Sequence, residues 1–449
     1  MSEQTPTPAD QTPWPSPASG WIVVGLLALA SVVSQFDRTV INLAVAPIKA
    51  QFALDDTHFG MLQGVAFGIF YMVACVPIGR LADRHQRRLI IGVGLGLFSL
   101  FSMGSGLTRT YAQLFLTRIG VGVGEASLTP AGMSMLADHF PPERLGQASG
   151  AFLMSAPVGQ GLAFMIGGGL LQWLSTTPVL AGGPMSGFQP WQAAFVIIGF
   201  PGLLLAPLFL ALREPARRGA GREAGLPLRE AAAVLIARAP ALAPMFAGFS
   251  MVTLVSYTFF IWTPALFERA YGWSPGQIGL AFGLIVIGFG TGGAFFGGWM
   301  SDRLGRRGHT DAPLKVAAFG FVGCGVFGAL APLAPSPVIA LALLAPAIFL
   351  SNTPYACAVS SIQMIVPNRA RAQVTALYVT LTTFVGLVIG PLVVGLMTDH
   401  LFRGPADIRY ALALVVACAA LPMMTLMLLA CRPYRALRAS QPGEAENKI

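Results

Sequence analysis

The chain has 449 residues, of which 55% are hydrophobic and 10% are charged, with 52 glycines and 34 prolines. A soluble domain has about a quarter charged residues, so this composition excludes a disordered chain, a coiled coil and an ordinary soluble enzyme. Each crossing of a membrane needs about 20 apolar residues, which leaves room for around twelve. Because backbone groups in lipid must bond within their own segment, we expect an all-α membrane protein.

The N-terminal half begins with a polar tail and continues with six apolar runs. Residues 1–19 are rich in Pro, Ser and Thr and contain no Lys or Arg. They lack the basic region of a signal peptide, which favours a disordered cytoplasmic tail. A six-helix bundle is predicted over residues 20–212, with spans at 20–46, 58–82, 89–107, 112–136, 147–172 and 191–212.

A second set of six runs follows a polar segment. Residues 213–240 carry six arginines and are predicted to form a cytoplasmic linker. The second six-helix bundle is predicted over residues 241–430, followed by a cytoplasmic tail at 431–449. Its predicted spans are 241–267, 276–300, 316–334, 337–365, 373–398 and 410–430.

The positive charges predict an orientation. If the N-terminus is inside, 21 of the 28 cations fall in cytoplasmic loops and the C-terminal tail, against 5 in outside loops. This excess predicts that both termini are cytoplasmic, in a plasma or inner membrane. The net charge of +9 therefore needs no nucleic acid to explain it. The five cysteines lie in or beside apolar runs without metal-ligand spacing, so we expect no metal and no cofactor.

A ten-residue sequence occurs twice, at the ends of spans 2 and 8. Gly-Arg-Leu-Ala-Asp-Arg-His-Gln-Arg-Arg at 79–88 is repeated as Gly-Trp-Met-Ser-Asp-Arg-Leu-Gly-Arg-Arg at 298–307, an offset of 219. A weaker echo pairs Pro-Glu-Arg at 142–144 with Pro-Asn-Arg at 367–369, an offset of 225. Two copies of a six-helix unit are typical of secondary transporters, so we expect two pseudo-symmetric bundles.

These motifs resemble those of a known family. The loop at 79–88 and its second copy resemble the signature loop of the major facilitator superfamily, and the resemblance covers about residues 20–430. Phe36-Asp-Arg38, Arg118-x-Gly-x-Gly-x-Gly-Glu-Ala126 and Gly386-x-x-x-Gly-Pro-x-x-x-Gly-x-x-x-Asp399 resemble the Spinster-type branch. The resemblance implies that Asp37 and Glu125 are protonation positions, with Arg38 and Arg118 as their partners or as substrate contacts.

Four ionisable residues lie within the N-terminal spans: Asp37, Arg38, Arg118 and Glu125. At the centre of a bilayer each costs roughly 2.5 to 3.5 kcal/mol, and such residues are functional by default. A purely structural ion-pair network is the alternative. Arg118 and Glu125 are two helical turns apart on one face of span 4. We therefore expect that an anionic substrate on Arg118 would free Glu125 to take up a proton.

The C-terminal half has few acids within its spans and mostly apolar walls with some hydroxyls. Such walls suit the tail of an amphipathic ligand, although aromatic side chains at helical spacing also form ordinary core. The candidate substrate-binding residues on this side are Tyr257, Trp262, Asn352, Tyr355 and Tyr378.

The charged residues of the repeated loop are candidates for a cytoplasmic gate. Asp83 and Asp302 each end a span beside arginines, so each is expected to accept charge-assisted bonds across to a neighbouring helix end. The family resemblance implies that such contacts hold the cytoplasmic side shut in one state and break in the other. The alternative is that the arginines only mark the inside face. The candidate gating residues are Gly79, Asp83, Arg84, Arg87, Arg88, Gly298, Asp302, Arg303, Arg306 and Arg307.

The sequence therefore predicts a proton-coupled secondary active transporter that works by alternating access of two halves. The Spinster-type resemblance implies an amphipathic, lipid-like substrate of the lysolipid or sphingoid type, and a small organic anion is the alternative. A membrane-embedded enzyme is a distant alternative, since Asp138 and His139 have no companion catalytic motif, as is a non-transporting sensor. The expected partners are protons, membrane lipids and the substrate, and the chain is expected to be a monomer.

Overall fold

The computed structural model describes residues 14–177, 180, 186–217, 227–402 and 404–440. All regular secondary structure in these residues is helical, which confirms the predicted all-α class. Eleven helical segments are long and apolar enough to cross a membrane: Pro17–Leu43, Asp56–Arg84, Arg87–Ser105, Pro142–Thr176, Pro190–Ala211, Arg229–Tyr271, Pro275–Arg306, Ala312–Leu333, Pro337–Ile365, Asn368–His400 and Pro405–Ala439.

The remaining predicted crossing, span 4, consists of two shorter helices, Tyr111–Glu125 and Leu128–His139. Pro130 explains the break, because it has no N–H and its ring would clash with the carbonyl of Ala126 in a continuous helix. Counting this pair as one crossing, the described residues form the twelve predicted spans. The chain is therefore a multi-pass integral membrane protein.

The ends of several helices differ from the predicted boundaries. The helix of span 7 begins at Leu228, so the second part of the predicted linker is helical. Its Arg-Glu-Ala-Ala-Ala start is rich in strong helix formers, which an apolar-run criterion misses. The last helix, Ile408–Ala439, extends into the predicted C-terminal tail, and the first helix begins at Pro17. Most of the predicted N-terminal tail and the last nine residues lie outside the described residues.

The outer surface is apolar, as a lipid environment requires. Val73 is 65% exposed, Phe295 67% and Leu421 68%. In water such a surface would mark an interaction site or an aggregation hazard. In a bilayer these side chains meet hydrocarbon, which agrees with the assignment of spans.

The chain forms two compact units. Unit 1 contains residues 1–54, 61–222 and 274–283, and unit 2 contains 55–60, 223–273 and 284–449. Within unit 1, span 1 packs against span 5, and span 3 packs against spans 4 and 6. Within unit 2, span 7 packs against span 11, and span 9 packs against spans 10 and 12. The two units thus repeat one packing pattern, which confirms the predicted pseudo-symmetry of the bundles.

Three spans contain a wider, π-helical stretch: Leu62–Ile69 in span 2, Val286–Gly290 in span 8 and Phe384–Ile389 in span 11. Such stretches interrupt the regular hydrogen-bond ladder and redirect side chains, and they occur frequently at functional sites. The stretch in span 2 carries Phe67, whose ring faces two of the intramembrane arginines.

Candidate functional site

The four intramembrane charges of unit 1 form two ion pairs. In the first, Nη2 of Arg118 lies 2.7 Å from Oδ2 of Asp37, and the two side chains are 0% and 1% exposed. The hydroxyl of Ser102, on span 3, donates to Oδ1 of Asp37 at 2.6 Å. This pair is sealed in the core, where a charge is tolerated only beside a partner.

Aromatic rings complete the surroundings of Arg118. Its guanidinium carbon lies 5.7 Å from the ring centre of Phe67 and 5.9 Å from that of Phe195. Nε and Nη1 of Arg118 have no hydrogen-bond acceptor among the described residues. Ring faces attract a guanidinium, so they partly replace the missing acceptors.

The second ion pair joins Glu125 to Arg38. Nη2 of Arg38 lies 2.8 Å from Oε1 of Glu125, and Nε donates to Oε2 at 3.1 Å, which makes the contact bidentate. The hydroxyl of Ser34 donates to Oε1 at 2.9 Å. The guanidinium also lies over the rings of Phe67 and Tyr71, at 4.4 and 5.2 Å. With side-chain exposures of 21% for Arg38 and 8% for Glu125, this is the more accessible pair.

Glycines in span 4 permit these contacts. A Cβ on Gly122 would lie 2.7 Å from the backbone oxygen of Phe67, and one on Gly124 would lie 2.5 Å from the backbone nitrogen of Phe98. Any larger residue would push spans 2 and 3 away from span 4 and so disturb the contact of Phe67 with Arg118.

The predicted pairing of Arg118 with Glu125 is wrong. Seven residues of helix rise about 10.5 Å, so the two side chains reach different partners although they share a face. Span 1 supplies both partners, Asp37 for Arg118 and Arg38 for Glu125.

The first copy of the repeated loop is held by two acids that lie outside the repeat. Arg87 is 1% exposed and forms ion pairs with Asp138, at the end of span 4, and with Glu214, which follows span 6. The backbone N–H groups of Arg87 and Arg88 also donate to Glu214. Nη2 of Arg217 donates to the carbonyls of Ala82 and His85 at the end of span 2. We call the contacts of Arg87, Asp138 and Glu214 the loop clamp.

The carboxylates of Asp83 and Asp302 do not have the contacts predicted for them. Both residues are exposed, and neither forms an ion pair among the described residues. In the first copy, the acidic partners of Arg87 are Asp138 and Glu214 of the loop clamp. In the second copy Arg303 lies over the ring of Trp299, at 5.3 Å, and Arg306 is exposed.

The remaining predicted gating residues lie on or beside the same loops. A Cβ on Gly79 would lie 3.9 Å from that of Pro130, and one on Gly298 would lie 3.7 Å from that of Ala356, which are ordinary contacts. The other residues of this set are Arg84, Arg88 and Arg307, of which Arg88 donates to the carbonyls of Leu210 and Leu212.

The predicted substrate residues of unit 2 fall into two groups. Trp262 is fully buried and donates to the carbonyl of Pro391, and Tyr378 is buried against Phe246 and Phe249. Both belong to the core in this structure. Tyr355 is 40% exposed, and Tyr257 and Asn352 are partly exposed. The structure thus leaves these three side chains accessible.

Unit 2 also contains a polar cluster, in which the start of span 2 contacts spans 7 and 11. The carboxylate of Asp56 accepts two bonds from Arg269, at 2.6 and 2.7 Å. Asp399 accepts the backbone N–H groups of Asp56 and Thr57 at 3.1 and 2.6 Å, and the hydroxyl of Thr57 at 2.6 Å. A carboxylate from span 11 therefore caps the helix of span 2.

Comparison with known proteins decides the family. The model of the Major Facilitator Superfamily matches residues 27–391 and 268–448, which together cover nearly the whole chain. The chain belongs to the Major Facilitator Superfamily. It is 28% identical to an MFS-type efflux pump of Mycolicibacterium smegmatis over 428 residues, which cover 93% of this chain and 94% of that protein.

Two further relatives and one solved structure refine the comparison. The transporter is 27% identical to a probable L-galactonate transporter of Escherichia coli, covering 84% of this chain and 83% of that one. It is 28% identical to protein spinster homolog 1 of Homo sapiens, covering 86% and 75%. Its fold matches that of a bacterial homologue of the human lysosomal transporter Spinster with a TM-score of 0.77 at 23% identity, covering 96% and 100%. These similarities confirm the predicted resemblance to the Spinster type.

Several contact residues of this transporter were not predicted: Ser34, Ser102, Asp138, Glu214, Asp56, Arg269 and Asp399. For two of them a signal exists in the sequence. Asp138 and Glu214 follow spans 4 and 6, which end on the same side of the membrane as the loop at 79–88 when the spans are counted. Single serines within apolar spans carry no comparable signal.

Proposed function

We propose that this transporter is a proton-coupled secondary carrier that moves an amphipathic, lipid-like substrate by alternating access. The observation that carries the proposal is the bidentate contact between Glu125 and Arg38, the more accessible of the two ion pairs. Protonation of Glu125 removes the counter-charge of Arg38, since arginine stays charged. Arg38 can then bind the anionic group of a substrate, and proton and substrate binding become linked.

In this mechanism the arginine that exchanges a carboxylate for the substrate is Arg38, whereas the sequence predicted Arg118. Arg118 is fully buried, so a substrate would reach it only after rearrangement of the core. Arg38 keeps its guanidinium partly exposed, beside the rings of Phe67 and Tyr71. Those rings can support the cation when Glu125 is neutral.

The accessible residues of unit 2 suit a substrate with an apolar part. Tyr257, Asn352 and Tyr355 offer hydroxyl and amide groups among apolar side chains, and none of them carries a charge. A lysolipid or a sphingoid phosphate has this combination of an anionic group and an apolar tail. We further propose a plasma or inner membrane location, cytoplasmic termini and a monomeric carrier.

A small organic anion is the second candidate substrate. It is supported by the similarity to a probable L-galactonate transporter. A sugar acid would use the same guanidinium of Arg38 through its carboxylate, and it would need no apolar surface.

The test begins with binding and ends with transport. Lysolipids, sphingoid phosphates and sugar acids are screened by thermal shift on the purified protein, and the stabilising compounds are assayed for flux in liposomes with an imposed pH gradient. We expect a lipid-like compound to be carried and the flux to depend on the gradient. Glu125→Gln should bind the compound but lose the gradient dependence, whereas Glu230→Gln, at the exposed start of span 7, should behave as wild type. Gradient-dependent flux in Glu125→Gln would refute the role of Glu125, and flux of sugar acids alone would select the second candidate.

A further inference from the structure

Two serines contact the two intramembrane carboxylates, and they differ in their second partners. Ser34 lies 2.9 Å from Oε1 of Glu125 and 3.1 Å from the backbone carbonyl of Ser31. Ser102 donates to Asp37 and has no second acceptor among the described residues. A serine hydroxyl has one proton to donate and can also accept. Ser34 can therefore exchange one acceptor for another, and Ser102 cannot.

We propose that Ser34 is a positioning residue that allows Glu125 to take up and release a proton, while Asp37 stays ionised. This inference rests on the proposed proton coupling. It assigns the exchangeable proton to one of the two predicted protonation positions.

Both protonation states of Glu125 are satisfied by rotation of the Ser34 hydroxyl. When Glu125 is ionised, Ser34 donates to Oε1, as observed. When Oε1 carries a proton, that proton is donated to Oγ of Ser34, and the hydroxyl of Ser34 turns to the carbonyl of Ser31. Neither Oε1 of Glu125 nor Oγ of Ser34 loses its hydrogen-bond partner in either state, so the penalty for an unsatisfied group is avoided at these two atoms.

The pair of Asp37 and Arg118 lacks this freedom. Protonation of Asp37 would leave the hydroxyl of Ser102 facing a neutral acid and Arg118 buried without a counter-charge. Breaking a buried ion pair in this way is strongly unfavourable. Asp37 is therefore a fixed anion that holds Arg118.

A small cavity lies beside Glu125, and the ionisable groups around it are few. The cavity of about 10 Å³ is lined by Ser34, Leu95, Phe98 and Ser127 among others. Arg38 from span 1 and Cys75 from span 2 are the ionisable groups from other spans that interact with Glu125 among the described residues.

Infrared spectroscopy can test this without a known substrate. On the reconstituted full-length protein, pH-difference spectra should contain the C=O band of a protonated carboxyl group that disappears in Glu125→Gln. In Ser34→Ala the band should move to higher frequency, because its O–H loses an acceptor. Ser34→Thr keeps a hydroxyl and should restore the wild-type frequency.

Two matched variants serve as controls. Ser31 contributes its backbone carbonyl to this contact, so Ser31→Ala should leave the Glu125 band unchanged. Ser102→Ala should also leave it unchanged, because Ser102 contacts the other carboxylate.

The outcomes separate this inference from the proposed function. Absence of any band that depends on Glu125 would overturn both. A Glu125 band with wild-type frequency in Ser34→Ala would overturn the role of Ser34 and leave proton coupling intact. A second titrating band that Asp37→Asn removes would overturn the assignment of Asp37 as a fixed anion.

Discussion

The two six-span halves share a packing pattern but differ in their buried chemistry. Within its spans the N-terminal half buries two ion pairs, whereas the buried polar side chains described within spans 7 to 12 are hydroxyl-bearing, with Thr258, Thr263 and Thr353 fully buried. Apolar packing is enough to repeat the helical frame, and charge needs specific partners. A duplicated frame can thus place ion pairs between the spans of one copy, while the other copy has its ion pairs at helix ends, as in Asp56 with Arg269 and Asp311 with Lys315.

The two copies of the repeated loop show how this difference arises. Arg87 and Arg306 occupy the same position of the repeat, 219 residues apart, yet Arg87 is buried and Arg306 is exposed. The second repeat offset, 225, places Gln363 where the first copy has Asp138. One of the two acids that bind Arg87 is therefore a neutral amide in the second copy, where Arg306 is exposed.

The largest effect on stability is expected from replacing Arg87, the buried arginine of the first copy. Arg87→Ala leaves Asp138 and Glu214 without their shared cation, and removing one member of a buried ion pair costs about 3 to 5 kcal/mol of unfolding free energy. Arg306→Ala, the matched change in the second copy, should change the unfolding free energy by no more than about 0.5 kcal/mol. Denaturant titration of both variants in the same detergent measures the difference. Equal losses would mean that the burial of Arg87 does not contribute to stability.

The helices were predictable because a membrane limits the choices. Every predicted span overlaps a helical segment, since a chain in lipid must satisfy its backbone locally. The break in span 4 was not predicted, although Pro130 is visible in the sequence.

The partners of the charged residues were harder to predict. Spacing along one helix gives the face of a residue but not the neighbour that it meets, which is why Arg118 was paired with Glu125 instead of Asp37. In the same way, Asp83 is close to Arg87 in sequence, but the acids that reach Arg87 come from spans 4 and 6. Those contacts depend on helix packing and connection, which the local pattern does not contain.

The starts of spans 2 and 8 offer a second comparison. The helix of span 2 is capped by Asp399 from span 11, whereas Ser274 and Gln277 cap the helix of span 8 with their own side chains. We expect Asp399→Ala to lower the unfolding free energy by about 2 kcal/mol, because three hydrogen bonds to a charged group are lost. Ser274→Ala should lower it by about 1 kcal/mol.

Salt distinguishes these two caps. The loss in Asp399→Ala should shrink as ionic strength rises, because Asp399 is partly exposed and salt screens it. The loss in Ser274→Ala should stay constant, since its cap is uncharged. Denaturation of both variants at low and high salt provides the measurement, and parallel behaviour would argue against a charge-assisted cap on span 2.

The smallest expected effect concerns acid pH and the loop clamp. Burial opposes ionisation of Glu214, but the side chain of Arg87 and the backbone N–H groups of Arg87 and Arg88 bond its carboxylate, and together they lower its pKa below the ordinary value of 4.5. A carboxyl group with a lowered pKa in the folded state contributes stability above its unfolded pKa and loses it as the pH falls through the folded pKa. The unfolding free energy of wild type should therefore exceed that of Glu214→Gln by about 1 kcal/mol near neutral pH. This difference should fade below pH 4.5. Thermal unfolding of both proteins across this range measures it, with Glu230→Gln as the exposed control. An advantage that grows on acidification would mean that Glu214 is bound in its protonated form, and that Asp138 alone supplies the negative charge opposite Arg87.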